Sequence, residues 1–162
     1  MRIHIATDHA GLDFSHHLIV HLTAAGHEVV NHGPKSYDAF DDYPAFCINA
    51  AKAVVNDQAE GIQALGIVFG GSGNGEQIAA NKVQGARAAL VWNLSTARLA
   101  REHNDANVIS IGARQHTIED ATDFIDAFIN EPFSEEERHV RRIAQLFEYE
   151  STGHIDGKGV VR

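Results

Sequence analysis

The stretch Gly66-Ile-Val-Phe-Gly-Gly-Ser-Gly-Asn-Gly-Glu-Gln-Ile-Ala-Ala-Asn-Lys82 decides the fold. It opens inside an apolar, β-branched run at 65–69, passes through four glycines in the six positions 70–75, and ends in an Ala-rich segment that favours helix. That order is buried strand, tight loop, helix N-terminus. Successive glycines let backbone N–H groups converge, and the helix start adds free N–H groups and the positive dipole end, so such a loop holds an anion. Glu76 is the odd residue. Acids are favoured in a first helical turn, but a pure anion binder gains nothing from a carboxylate at its loop. The glycines Gly71, Gly73 and Gly75 are spaced G-x-G-x-G, with Glu76 where a dinucleotide fingerprint wants its third glycine, and no Gly-Lys-Ser/Thr follows. A small anion or oxyanion is the expected occupant.

Outward from this stretch, strands and helices alternate. Residues 2–7 read as a buried first strand and 8–11 as its turn, and Phe14, Leu18 and Leu22 mark a helix ending near Gly26. A short strand at 28–31, a polar loop at 33–42, a helix at 43–55 with Pro44 in its first turn, and a polar connector at 56–61 lead to the central strand. Beyond the glycine loop come a strand at 86–92, a helix capped by Ser95 and running through Leu99 to His103, and a strand at 108–111. Thr117 with Asp120 opens a helix carrying Ala121, Phe124, Ile125, Phe128 and Ile129. Residues 134–137 spell a capping box for a last helix with Val140, Ile143, Ala144 and Phe147 on one stripe. The alternation predicts an α/β fold, a doubly wound sheet of about five parallel strands flanked by helices, with an extra C-terminal helix. One domain is expected over 1–150, with a Gly-rich, mobile tail over 151–162.

The bulk properties narrow the function. At 162 residues the chain is long enough for one domain with a real core, and its 44% apolar and 22% charged residues are those of a soluble globular protein. A net charge of −9 argues against nucleic acid or an anionic membrane surface as partner. The single cysteine, Cys47, excludes an internal disulfide framework and fits a reducing compartment. No signal-peptide pattern or membrane-spanning apolar run is present, so a cytoplasmic location is expected.

In open α/β sheets, ligands bind beyond the carboxyl ends of strands. Asp8 and His9 follow the first strand, the glycine loop the third and Arg114 the fifth, so three strand ends present polar groups to one edge. Asp8 also suits a helix cap. His103 and Asn104 close the fourth helix, where they fit either a C-terminal cap or acid–base work near neutral pH. Arg138 and Arg142, four apart, share a helix face. They can pair with the acids at 135–137 or form a fork for a phosphate dianion. His16, His17, His21 and His27 read as solvated surface, and no histidine pair has convincing metal-ligand context.

Taken together, Asp8-His9-Ala10-Gly11, Asp42-Tyr43-Pro44, Gly71-Ser72-Gly73-Asn74-Gly75-Glu76, Ala80-Asn81-Lys82-Val83, Arg101-Glu102-His103-Asn104 and the late Arg138 and Arg142 resemble the ribose-5-phosphate isomerase B (RpiB/LacAB) sugar-phosphate isomerase family. The resemblance runs from about residue 1 to 150. It implies a Rossmann-like fold, a homodimer or dimer of dimers with active sites across the interface, no metal and no cofactor. The implied activity is aldose–ketose isomerisation, typically of ribose 5-phosphate and ribulose 5-phosphate through a cis-enediolate. Many members carry a catalytic cysteine just before the glycine loop, where this chain has Gly70; a second branch uses a glutamate just after it, which Glu76 matches.

By that resemblance Glu76 is the base, His103 the acid that opens the sugar ring, and Asp8 the group that positions hydroxyls or relays a proton. Amides of Gly71, Gly73, Asn74 and Gly75, assisted by the Ser72 hydroxyl, hold the enediolate oxygen. Asn104 binds a substrate hydroxyl, Tyr43 lines the pocket, and His9, Arg114, Arg138 and Arg142 hold the phosphate. The alternatives are an isomerase of the same family acting on a six-carbon sugar phosphate or a tetrulose phosphate, and a non-catalytic phosphate- or nucleotide-binding module on the same fold.

Overall fold

In a computed structural model that describes residues 1–156, the strand at the centre of the sheet, β3 (Ala64–Gly70), is buried along its whole length. A strand paired on both edges and covered on both faces requires such a continuous apolar run. The other strands are β1 (Arg2–Ala6), β2 (Glu28–Asn31), β4 (Ala88–Val91) and β5 (Val108–Gly112), and the helices are α1 (Leu12–Ala24), α2 (Tyr43–Ala59), α3 (Asn74–Ala80), α4 (Leu94–Asn104), α5 (Ile118–Asn130) and α6 (Glu137–Thr152). A 3-10 turn, His9–Gly11, joins β1 to α1.

All neighbouring strands are parallel, in the order β2-β1-β3-β5-β4. Alternation along each strand splits the core into two layers. Ile3, Ile5, Leu65, Ile67, Phe69, Ile109 and Ile111 face α1 and α5 through Leu18, Leu22, Ile125 and Phe128. Ala6, Val68 and Val108 face the other way, onto Cys47, Ala50, Ala51 and Val54 of α2 and Ala79 and Ala80 of α3. The expected doubly wound α/β sheet is therefore present. From β1 the chain crosses to β2 on one side and then returns to place β3 on the other, with Ala6 in register with Val68. The crevice between the carboxyl ends of β1 and β3 is thus the topological switch point, where ligands bind in such sheets.

Several boundaries differ from those expected. α2 runs on to Ala59 through residues assigned to a connector, because Asp57 is held by Arg2 and His4, and Gln58 by the Ala64 carbonyl. Asn93, not Ser95, caps α4, in a capping box with Thr96. The predicted capping box at 134–137 does not form. α6 starts at Glu137 behind Glu136, with no side-chain cap, and the Ser134 hydroxyl is engaged at 2.7 Å by His139 Nδ1. The domain boundary at 150 cuts through a helix, since α6 continues to Thr152 and ends at Gly153 with φ +73°. The rest of the expected tail includes residues 157–162, which lie outside the described residues. Among the histidines expected at the solvated surface, His21 is partly exposed and pairs there with Asp126 at 3.0 Å. No helix among the described residues is long and apolar enough to cross a membrane.

Candidate active site

The glycine loop leaves β3 at the switch point and is tied down through its carbonyl groups. Gly70 O accepts from Ala113 N at 2.8 Å and Gly71 O from Arg114 N at 3.1 Å, and the buried Ser110 hydroxyl donates to Gly73 O at 2.6 Å. Gly73 has φ +80°, and a Cβ there would stand 2.8 Å from Leu90 and 3.0 Å from the Ile111 carbonyl carbon. Only glycine combines that backbone with that approach. Among the described residues no acceptor takes the N–H groups of Gly71, Ser72 or Gly73. Ser72 is exposed, its hydroxyl engaged by Asn74 at 3.2 Å.

Glu76 lies in the first turn of α3, yet its residue surface is only 4% exposed. Its carboxylate occupies the space that a side chain on residue 70 would fill. Gly70 is therefore what admits Glu76, and a cysteine at 70 and this placement of the glutamate exclude one another. Burial raises the Glu76 carboxyl above its ordinary value; the hydrogen bond from its own backbone N–H opposes the rise, and the negative charge of Asp8 adds to it. A carboxylate raised in this way is a better proton acceptor than one fully stabilised by a helix N-terminus. Asp8 is also buried, and its Oδ1 accepts from Ala10 N at 2.9 Å, so it serves as the cap of the 3-10 turn while facing the site. Cys47 lies in the same neighbourhood on α2. Burial first, then the charges of Glu76 and Asp8, push its thiol far above its ordinary range, so it stays protonated.

The remaining residues of this edge surround the loop. Tyr43 begins α2 and packs so closely that a Cβ on Gly75 would stand 2.6 Å from its ring. Arg114, exposed after β5, runs past Gly71, with Nη1 3.5 Å from where a Cβ on that glycine would stand. His9 Nδ1 lies 2.7 Å from Asp41 Oδ1. The structure thus brings together Asp8, His9, Tyr43, the loop 71–75, Glu76 and Arg114.

It does not bring the other four candidates to them. α4 descends from the carboxyl end of β4, so His103 and Asn104 in its last turn lie at the amino edge of the sheet. There Arg87 donates to the carbonyls of Asn104 and Asp105 at 3.1 and 2.7 Å. α6 starts at the same edge. His139 is 2% exposed, its ring centroid 4.3 Å from that of His103. Burial, then the neighbouring His103, holds the His139 imidazole below its ordinary value. Arg138 pairs with Glu136 at 2.8 Å, whereas Arg142 has no ion-pair partner among the described residues. One chain therefore carries its candidate residues in two groups, at opposite edges of its sheet.

A family model described as Ribose/Galactose Isomerase matches residues 3–146. The chain belongs to that family. It is 55% identical over 152 residues to ribose-5-phosphate isomerase B of Mycolicibacterium paratuberculosis, covering 94% of this chain and 93% of that one. To ribose-5-phosphate isomerase B of Escherichia coli K12 it is 34% identical over 145 residues, covering 90% and 93%. A crystal structure of ribose-5-phosphate isomerase B from Mycoplasma genitalium with bound ribulose-5-phosphate matches with a TM-score of 0.87 at 38% identity, covering 93% of this chain and 97% of that one.

In this ribose/galactose isomerase family member, three residues escaped the sequence analysis. Ser110, which anchors the loop, carried a signal: a lone hydroxyl in the otherwise apolar run of β5 needs a buried acceptor. Asp41 and His139 carried none, because each was one polar residue among many. Chemically, the carboxyl edge offers a buried carboxylate, a second carboxylate beside it and a loop of unpartnered amides. The amino edge offers an imidazole and, in Arg142, a guanidinium with no ion-pair partner among the described residues.

Proposed function

We propose that this chain is a metal- and cofactor-free aldose–ketose isomerase that interconverts D-ribose 5-phosphate and D-ribulose 5-phosphate. The observation that carries the reading is the buried Glu76 carboxylate, admitted by Gly70 and raised in proton affinity, beside Asp8 and the glycine loop at the switch point. The ribulose-5-phosphate-bound Mycoplasma structure supports the substrate class.

Glu76 takes the proton from C2 of the open-chain aldose and returns it to C1. Electrons flow from the breaking C2–H bond into the C1 carbonyl, giving a cis-enediolate; the O2 electron pair then forms the C2 ketone as the C1=C2 pair takes the proton from Glu76 at C1. Amides of Gly71, Gly73, Asn74 and Gly75, with the Ser72 hydroxyl, stabilise the enediolate oxygen. Asp8 moves the hydroxyl proton between O1 and O2. His9 and Arg114 hold the phosphate at a distance from the reacting carbons, so its binding energy fixes their orientation over Glu76. Tyr43 walls the pocket.

The same reading makes the protein a cytoplasmic homodimer. His103 of the partner subunit opens the furanose ring, Asn104 of the partner subunit binds a hydroxyl, and the partner's Arg138 and Arg142 complete the phosphate fork. The separation of the two groups supports this, as does α6. Its Val140, Leu146 and Phe147 are exposed, and a groove of about 640 Å³ lies between α6 and the start of β4. Exposed apolar surface of this kind marks an association site.

The test is a coupled assay of purified protein with ribose 5-phosphate in the presence of EDTA, alongside Glu76→Gln. Turnover that survives EDTA and disappears in the variant is expected. Turnover only with a six-carbon or four-carbon sugar phosphate would change the substrate. Phosphate binding without turnover of any of these would leave a binding module.

A further inference from the structure

We propose that Asp41 is a positioning residue for the phosphate end of the substrate, acting through His9. It holds the imidazole so that Nε2 is the atom presented to the phosphate. The proposal rests on the isomerase reading above, in which His9 faces the phosphate.

Asp41 Oδ1 accepts two hydrogen bonds from one residue, from His9 Nδ1 at 2.7 Å and from His9 backbone N at 3.1 Å. The pair of contacts fixes both the position of His9 and the rotation of its ring. Asp41 is itself held in place. Its N–H donates to Asp38 O at 3.2 Å, and Asp38 Oδ1 accepts from Phe40 N at 3.0 Å. The Tyr37 ring stands edge-on to the imidazole at 5.9 Å and 84°. The Asp41 side chain is only 8% exposed, so the carboxylate lies behind the imidazole, away from water. Its second oxygen, Oδ2, is buried with no partner among the described residues. A buried carboxylate left half-satisfied is costly to a fold, which suits a group retained for the site.

The chemistry follows from what a carboxylate can do. It accepts hydrogen bonds and does not donate them. Nδ1 must therefore carry a proton, and in the neutral ring Nε2 is left as the free nitrogen. A phosphate monoester arriving as its monoanion shares its remaining proton with that free nitrogen, so the ring rests on Asp41 through Nδ1–H and on the phosphate through Nε2. Asp8 stands beside this pair, with polar atoms of Asp8, His9 and Asp41 all within 4.8 Å of one another. Without Asp41 the ring is free to rotate and to take the other tautomer.

Three chains carry the test: wild type, Asp41→Asn, which keeps an acceptor but loses the charge, and Asp41→Ala, which loses both. For Asp41→Ala, KM for ribose 5-phosphate and Ki for inorganic phosphate should both rise about tenfold, as expected for losing one charge-assisted contact. The fall in kcat should stay within about threefold, because the lost interaction is made equally in ground and transition states. Asp41→Asn should lie between. In a His9→Gln background, Asp41→Ala should add nothing, since its effect passes through the ring. Nitrogen-15 NMR of the histidine side chains, with inorganic phosphate as the titrant, should show Nδ1 of His9 protonated in the wild type and the tautomers mixed in Asp41→Ala.

A kcat loss with unchanged KM, or an equal effect in the His9→Gln background, would overturn the proposal. If Asp41→Ala does not fold, Asp41→Asn carries both readouts. A wild type that binds phosphate but never turns over sugar phosphate would remove the isomerase reading alone, and the NMR titration would still decide the role of Asp41.

Discussion

Glu76 combines two properties that oppose each other, burial and charge. Its carboxyl is raised by burial, so the folded protein penalises the ionised form. That penalty is fully present above the raised value and vanishes below the ordinary value of the unfolded chain. Glu76→Gln should therefore raise the melting temperature at pH 8, with a gain that fades as the pH falls into the ordinary carboxylate range. The same substitution should lower kcat by about 10²–10⁴-fold, the usual share of a general base. Melting curves at several pH values beside the coupled assay check both halves; an unchanged melting temperature at pH 8 would show that the carboxylate is not penalised. Gly70→Ala tests the space around it. The added methyl collides with the Glu76 carboxylate, so kcat should fall by about 10²-fold, the scale of a misplaced catalytic group. The circular dichroism spectrum should stay that of the wild type.

At the scale of elements, the loop and its helix are only as rigid as β5 makes them. Ser110 donates from inside β5 to Gly73 O at 2.6 Å. Ser110→Ala leaves that carbonyl buried without this donor, a loss of about 1–3 kcal/mol, and loosens the amides proposed to stabilise the enediolate. Chemical denaturation and kcat should fall together; lost stability with unaltered kcat would detach the loop from catalysis. Phe69, fully buried on the opposite face of β3, separates stability from chemistry. Phe69→Ala should lose about 3–5 kcal/mol, measured by urea unfolding. The helix limits taught a related lesson. Asn56, Asp57 and Gln58 read as connector because they are polar, yet they finish α2. Asp57 draws in Arg2 at 2.9 Å and His4 at 2.9 Å, partners that no local pattern announces.

For the whole molecule, the decisive feature is that Glu76 and His103 stand at opposite edges of one sheet. If each site takes Glu76 from one chain and His103 from the other, two inactive variants should rescue one another. Glu76→Gln and His103→Asn, unfolded together and refolded as an equal mixture, should regain about a quarter of wild-type activity, because half the dimers are mixed and each holds one intact site. No recovery, with mixed dimers demonstrated by mass spectrometry, would place the complete site within one chain. The exposed Leu146 and Phe147 of α6 make the proposed interface testable: Phe147→Glu should shift sedimentation toward monomer and lower activity in parallel.

What the sequence determined alone was whatever local chemistry specifies. The apolar run, the glycines and the Ala-rich segment dictated β3, its loop and α3. The alternation of strands and helices dictated the α/β class, and the strand ends carrying Asp8, the loop and Arg114 dictated one polar edge. Those signals lie within a few residues of what they control, so they can be read without the fold. Tertiary structure decided the rest. It set the hydrogen bonds from His9 to Asp41 and from Ser110 to Gly73, the tilted ring contact of His103 with His139, and the placement of the candidate residues at two edges of the sheet. These depend on how far each helix descends before the chain turns back and on which strands become neighbours, and packing of the whole sheet settles both.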